Sequence, residues 1–179
     1  GIDVLERGED VAVDEFAVEL ASLDLVELLV REIEEVDGTS VEEVRVVRSF
    51  PDPRLDALES AEALCEAKSP EALHRLLVEL LRNEFLADWA ALLAPGRETA
   101  VDGTGAPSGD LLAALAAGTA ASPRVADGST GPDDLAVARL EAHDATLLVG
   151  RDGRGFRRRE RAQLRALAQV ADRVWSLVA

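Results

Sequence analysis

The C-terminal stretch "RERAQLRALAQVADRVWSLVA" constrains the fold more than any other part of the chain, because Leu164, Leu167, Ala168, Ala171, Val174, Trp175 and Val178 recur at three- and four-residue spacing. Side chains so spaced share one face of an α-helix. A long closing helix therefore needs an apolar layer to lie on, and short β-type runs upstream supply it. "DWAALLA" (88–94) reads as a strand, "ETAVDG" (98–103) as its hairpin partner, and "DDLAVARLEAHDATLLVGR" (133–151) as two strands turning at His143-Asp144. Two helices precede this sheet. The first carries Leu55, Leu58, Ala61 and Cys65; the second starts at Ser69-Pro70, with proline in the first turn, and shows Leu73, Leu76, Leu77, Leu80 and Leu81 on one face. "GDLLAALAAG" adds a short helix between the strands.

The N-terminal region has a different texture. Ile2–Leu5 and Val11–Leu20 are rich in β-formers, and Arg7-Gly8-Glu9-Asp10 between them suits a turn, so the two form a hairpin. In the second strand Phe16, Val18 and Leu20 share one face, leaving Glu15, Ala17 and Glu19 on a partly solvated one. Leu25, Val26, Leu29, Ile33 and Val36 mark a helix with Ser22 as N-cap and Gly38 beyond its end, and "VEEVRVV" (41–47) reads as a third strand. The two prolines of "FPDPRLD" (50–56) set a boundary. The expected organisation is one domain over 1–49, a linker over 50–55 and a second domain over 56–179.

These element orders resemble two known families. "GIDVLERG", "VAVDEFAVEL", "LDLVELLVREIEEVDG" and "EEVRVV" look like the second strand, third strand, second helix and last strand of an ACT domain, so the chain would begin after that family's first strand and helix. Two leading helices, a central antiparallel sheet and the ending "LLVGRDGRGFRRRERAQLRALAQVADRVW" resemble a GAF domain. The expected fold is α+β, a partial ferredoxin-like ACT unit (β-β-α-β) followed by a GAF-like antiparallel sheet flanked by helices. Such domains imply a regulatory protein: ACT domains bind amino acids or related metabolites, often between two ACT units, and GAF domains bind small molecules in a cavity over the sheet.

Composition narrows the chemistry. The 19 Lys and Arg against 35 Asp and Glu leave a formal net charge of −16, which repels nucleic acid and anionic lipid. No apolar run reaches the roughly 20 residues that cross a bilayer. Cys65 is the single cysteine, which excludes an internal disulfide, and with no secretory leader in view the expected home is the cytoplasm. One lysine and one asparagine among abundant Ala, Arg, Val and Leu are the bias of a GC-rich bacterial genome.

Residues with chemical potential have bland alternatives. "VDGTGAPSGDLL" places glycines before a helix, but they fit neither G-x-G-x-x-G nor the Walker pattern, so a loop at the edge of a cavity is the simpler reading. Seven arginines lie between Arg151 and Arg165; they either hold an anion or acidic partner, or pair with the protein's own carboxylates. His74, His143 and Cys65 show no spacing that joins them as metal ligands or as nucleophile and base, and Cys65 is read as a partly buried, inert thiol. Lys68 and Asn83 precede the sheet, unlike the Asn/Lys/Phe/Asp/Glu motif of cyclic-nucleotide-binding GAF domains. Trp175 reads as core; Trp89 reads as core or as a stacking surface for a ligand.

The resulting expectation is a non-enzymatic regulatory protein that senses a small metabolite, an amino acid or relative, and forms a homodimer, with no cofactor, no metal, no nucleic acid and no membrane. A dimerisation or interaction module without a ligand is the alternative. Candidate ligand contacts are Gly1, Ile2, Asp3 and Val4, carried over from the ACT resemblance, with Trp89, Asp102 and Arg124 in the GAF-like part.

Overall fold

A computed structural model describes residues 2–6, 15–46, 53–122, 125, 132–153 and 155–179. The chain divides into two compact units, Gly1–Pro53 and Arg54–Ala179.

In the first unit β1 (Ile2–Glu6) pairs antiparallel with β2 (Glu15–Val18), and α1 (Val26–Glu34) follows a 3-10 turn at Leu23–Leu25 whose N-cap Ser22 accepts a hydrogen bond from the Asp24 N–H. The expected Arg7–Asp10 turn lies outside the described residues. Two expectations are corrected. Residues 41–46 form no strand, and Val44 and Val46 are exposed; β-branched residues make a strand only where a neighbour accepts their ladder of hydrogen bonds. The described order is therefore β-β-α. At the centre of β2 the expectation is also overturned, since Ala17 is buried while Phe16 is 51% exposed; Val18 is half-buried and the following Glu19 exposed, as expected. On α1, Val26, Leu29, Val30 and Ile33 form an apolar stripe that is half-buried and nowhere fully covered.

The second unit is a four-stranded antiparallel sheet of order β4-β3-β6-β5, made of β3 (Trp89–Leu93), β4 (Ala100–Gly103), β5 (Leu135–Leu140) and β6 (Ala145–Gly150). Alternation sorts its side chains. Ala90, Leu92, Ala136, Ala138, Leu140, Leu147 and Val149 face a large core shared with α3 (Pro70–Glu84) and α5 (Arg158–Val178). Ala91, Leu135, Val137 and Leu148 face a smaller core under α4 (Gly109–Ala120), with Leu112 at its centre. Both faces are thus covered, which is why β3 and β6 read as continuous apolar runs rather than alternating ones.

The closing helix buries Leu164, Leu167, Ala168, Ala171, Val174 and Trp175, and α3 buries Leu73, Leu77, Val78 and Leu81. Ser69 caps α3 by accepting the Ala72 N–H at 3.2 Å. In α2 (Pro53–Cys65), among the residues whose side chains are described, Ser60 and Leu64 are buried while Leu58 and Cys65, both on the face expected to point inward, are exposed. Ser60 can face inward because its hydroxyl donates to Glu84 at 2.9 Å, which satisfies a group that is costly to bury alone. The β5–β6 connection is a 3-10 turn, Glu141–His143, closed by Asp144 at φ 48°.

Candidate functional site: a cleft at one end of the sheet

The strand register decides where a cavity can form. Trp89, the first residue of β3, lies opposite Gly150 at the end of β6 and Gly103 at the end of β4, and Gly150 lies opposite Leu135. A Cβ on Gly150 would stand 2.2 Å from Cε2 of Trp89, so the indole rests directly across the glycine backbone. Gly103, at φ 101°, has a backbone conformation that other residues rarely adopt, and a Cβ there would meet the Asp88 carbonyl at 2.1 Å. Gly150 lets the ring lie across the sheet end, and Gly103 lets the backbone of β4 approach Asp88 and Trp89 closely.

Over this end, on the α4 side, an open cleft of about 550 Å³ is lined by Trp89, Leu115 and Leu135, with Thr104, Gly105 and Pro107 from the loop before α4. Asp88, Asp134 and Asp152 also line it. The loops around it are tied together by the backbone. Asp88 donates its N–H to Gly150 O at 3.0 Å, Thr104 N–H donates to Asp88 O at 2.9 Å, and Asp152 N–H donates to the Asp88 carboxylate at 2.8 Å. Arg151 N–H donates to Asp134 O at 3.1 Å. An aromatic face, two leucines and fixed polar groups are the ingredients of a small-molecule site.

Arg151 touches the cleft but spends its guanidinium elsewhere. Its side chain is 3% exposed and grips Glu160 through two bonds of 2.8 and 2.7 Å, while also donating to Phe85 O at 2.8 Å and Gly155 O at 2.6 Å. Glu160 in turn accepts the Arg157 N–H at 2.7 Å at the start of α5. Phe156 lies 4.1 Å from the Arg151 guanidinium carbon and 5.8 Å from that of Arg161. Arg161 donates to Leu135 O and Pro132 O at 2.8 and 2.7 Å. Burial lowers the pKa of Arg161, with the Asp133 and Glu160 charges opposing the shift. For Arg151 and Arg161 the arginine run is thus an internal clasp that ties α5 to the cleft's loops.

Of the residues singled out from sequence, Trp89 lines the cleft. Asp102 pairs with Arg82 of α3 and sits opposite Ala90, on the large-core face rather than the cleft face. Ile2, Asp3 and Val4 pair with Val18, Ala17 and Phe16 in the first unit; Gly1 and Arg124 lie outside the described residues. Cys65 is exposed, not partly buried. His74 and His143, which no spacing connects, both contact Trp175. Among the described residues no group of three or more His, Cys, Asp or Glu could hold a metal ion, and no helix is long and apolar enough to cross a membrane. Sequence reasoning missed Gly150, Leu115 and Leu135. The signal for Gly150 exists only once the register places it against Trp89.

The fold defines the second unit as a GAF-like α+β domain. No protein-family model matches the chain, and no curated protein matches it. Among solved structures it is similar to the GAF domain of an Acinetobacter phosphoenolpyruvate-protein phosphotransferase, with a TM-score of 0.51 at 11% identity over 72% of this chain and 95% of that one.

Proposed function

We propose that the second unit is a non-enzymatic regulatory domain that binds a small organic molecule in the cleft beside Trp89. One observation carries this reading: a cleft of about 550 Å³ with an indole laid across Gly150, within the roughly 300–1,000 Å³ typical of ligand sites. Its described lining contains no histidine, cysteine or serine. The likeness to a GAF domain supports a sensory kind of protein. In this reading the first unit contributes self-association or an amino-acid site of the ACT type. A ligand-free interaction module is the second reading, favoured by the half-buried apolar stripe of α1.

Thermal unfolding against a panel of amino acids, nucleobases and common metabolites, with oligomeric mass recorded alongside, tests both. A ligand at a hundredfold excess over its Kd stabilises the native state by about 2.7 kcal/mol. A melting shift that disappears in Trp89→Ala supports the cleft. Stabilisation by a ligand that survives Trp89→Ala, or a constant dimer that no compound shifts, rejects it.

A further inference from the structure

The chain's two histidines meet on the sheet face away from the cleft, where α3 and α5 pack. His74, on the buried face of α3, approaches Trp175 edge-on, with ring centroids 4.0 Å apart and an interplanar angle of 69°. His143, at the β5–β6 connection, stacks on the same indole at 4.1 Å and 4°. Their surroundings differ. His143 places Nδ1 2.7 Å from the Asp172 carboxylate, which also accepts the Ala142 N–H at 2.9 Å. His74 is 6% exposed, and its Nε2 is buried with no hydrogen-bond partner among the described residues.

The charges around His74 come from three elements. Arg97, between β3 and β4, stands with its guanidinium carbon 5.4 Å from the Trp175 ring centroid and pairs with Glu71 at 3.1 Å. Glu71 lies one turn earlier on α3, and His143 faces His74 from the β5–β6 connection. Burial, first, and then the Arg97 charge hold the His74 pKa below the ordinary imidazole value; Glu71 opposes them and His143 adds to them.

We propose that His74 is an acid-operated release on the α3–α5 contact: the neutral ring fills the space beside Trp175, and the protonated ring must leave for water, loosening the last turns of α5. A buried cation there has no acceptor at Nε2 and faces the positive Arg97, a combination that favours opening over retention. The device is independent of the cleft and needs no ligand.

The direction of the effect follows from linkage. The unfolded chain takes up the His74 proton near pH 6.5, whereas the folded chain resists it to lower pH. The stabilisation is therefore complete above about pH 6.5 and is lost as pH falls, with the unfolding equilibrium constant rising by up to about tenfold per pH unit until folded His74 itself protonates. The part of this range above about pH 5 precedes the titration of most carboxylates.

Because there are two histidines, an NMR titration of the imidazole Cε1–H groups of the full chain gives two curves, assigned with His143→Gln. Amide-exchange protection over residues 170–178 and urea unfolding are followed across the same window. The expected result is a His74 curve displaced below the ordinary value, a parallel fall in protection over 170–178, and a flattened pH dependence of unfolding in His74→Gln. A His74 curve at or above the ordinary value, unchanged protection over 170–178, or a His74→Gln variant with the full wild-type pH dependence overturns the proposal. The wild-type titration and exchange decide the matter even if His74→Gln fails to fold.

Discussion

Replacing Glu160 with leucine takes a two-pronged carboxylate away from the buried guanidinium of Arg151. In the native protein that group is 3% exposed and bonded at both nitrogens to Glu160, whose own side chain is 14% exposed. With Glu160 gone, the bonds to Phe85 O and Gly155 O remain, but carbonyls do not neutralise a charge. Breaking a buried ion pair from one side typically costs about 3–5 kcal/mol, a large part of the roughly 5–15 kcal/mol that stabilises a domain. The Arg157 N–H also loses its acceptor, which places Glu160→Leu toward the upper end. The companion variant sharpens the argument. Arg151→Met/Glu160→Leu removes the buried charge and leaves the two carbonyls without their donor, at about 1–3 kcal/mol for each unsatisfied buried group. That loss overlaps the cost of Glu160→Leu, so the ordering rests on the fact that replacing a whole buried ion pair with apolar groups is often neutral or stabilising; on that ground the double variant is expected to be more stable than Glu160→Leu alone. Urea unfolding followed by circular dichroism measures all three proteins. Additive losses, with the double variant the least stable, would refute the buried-charge reasoning.

Two further substitutions test the backbone of the site. Gly150→Ala puts a methyl group into the Trp89 indole, and such overpacking costs about 1–3 kcal/mol; a shifted Trp89 emission with lowered stability is expected, and an unchanged spectrum contradicts the placement of the ring. Leu86 ends α3 at φ 49°, with Ala87 N–H donating to Arg82 O and Leu86 N–H to Asn83 O, the Schellman arrangement in which glycine is preferred. Leu86→Gly relieves left-handed strain of roughly 1–2 kcal/mol and, after the added chain entropy, is expected to raise the urea midpoint slightly; a lowered midpoint counts against strain at this position.

Local periodicity carried much of the fold. The α5 stripe from Leu164 to Trp175 and the α3 face built on Leu73, Leu77 and Leu81 are buried as their spacing requires, and the turn at His143-Asp144 is where β5 gives way to β6. Periodicity failed where burial is decided by distant parts of the chain. On α2 Leu58 is exposed while Ser60 and Leu64 are buried, because Glu84 of α3 supplies the partner that makes Ser60 cheap to bury. Residues 41–46 are rich in valine, a strand former, yet strand identity depends on a neighbour that the residues themselves do not specify. The cleft was legible at Trp89 and at the glycine loop, whose Thr104, Gly105 and Pro107 reach it. Gly150 and Leu135 could not be read, since their importance lies in cross-strand register. The meeting of His74 and His143 on Trp175 is likewise a product of packing across three separate elements.

The most direct test of the central claim is a fragment screen monitored by backbone and indole N–H NMR shifts of the full chain. Small-molecule binding in the cleft predicts hits whose shifts converge on Trp89, Leu115, Leu135 and Gly150, the residues that line it, and that vanish in Gly150→Ala. Hits that converge on another surface and leave the Trp89 indole unmoved would contradict it.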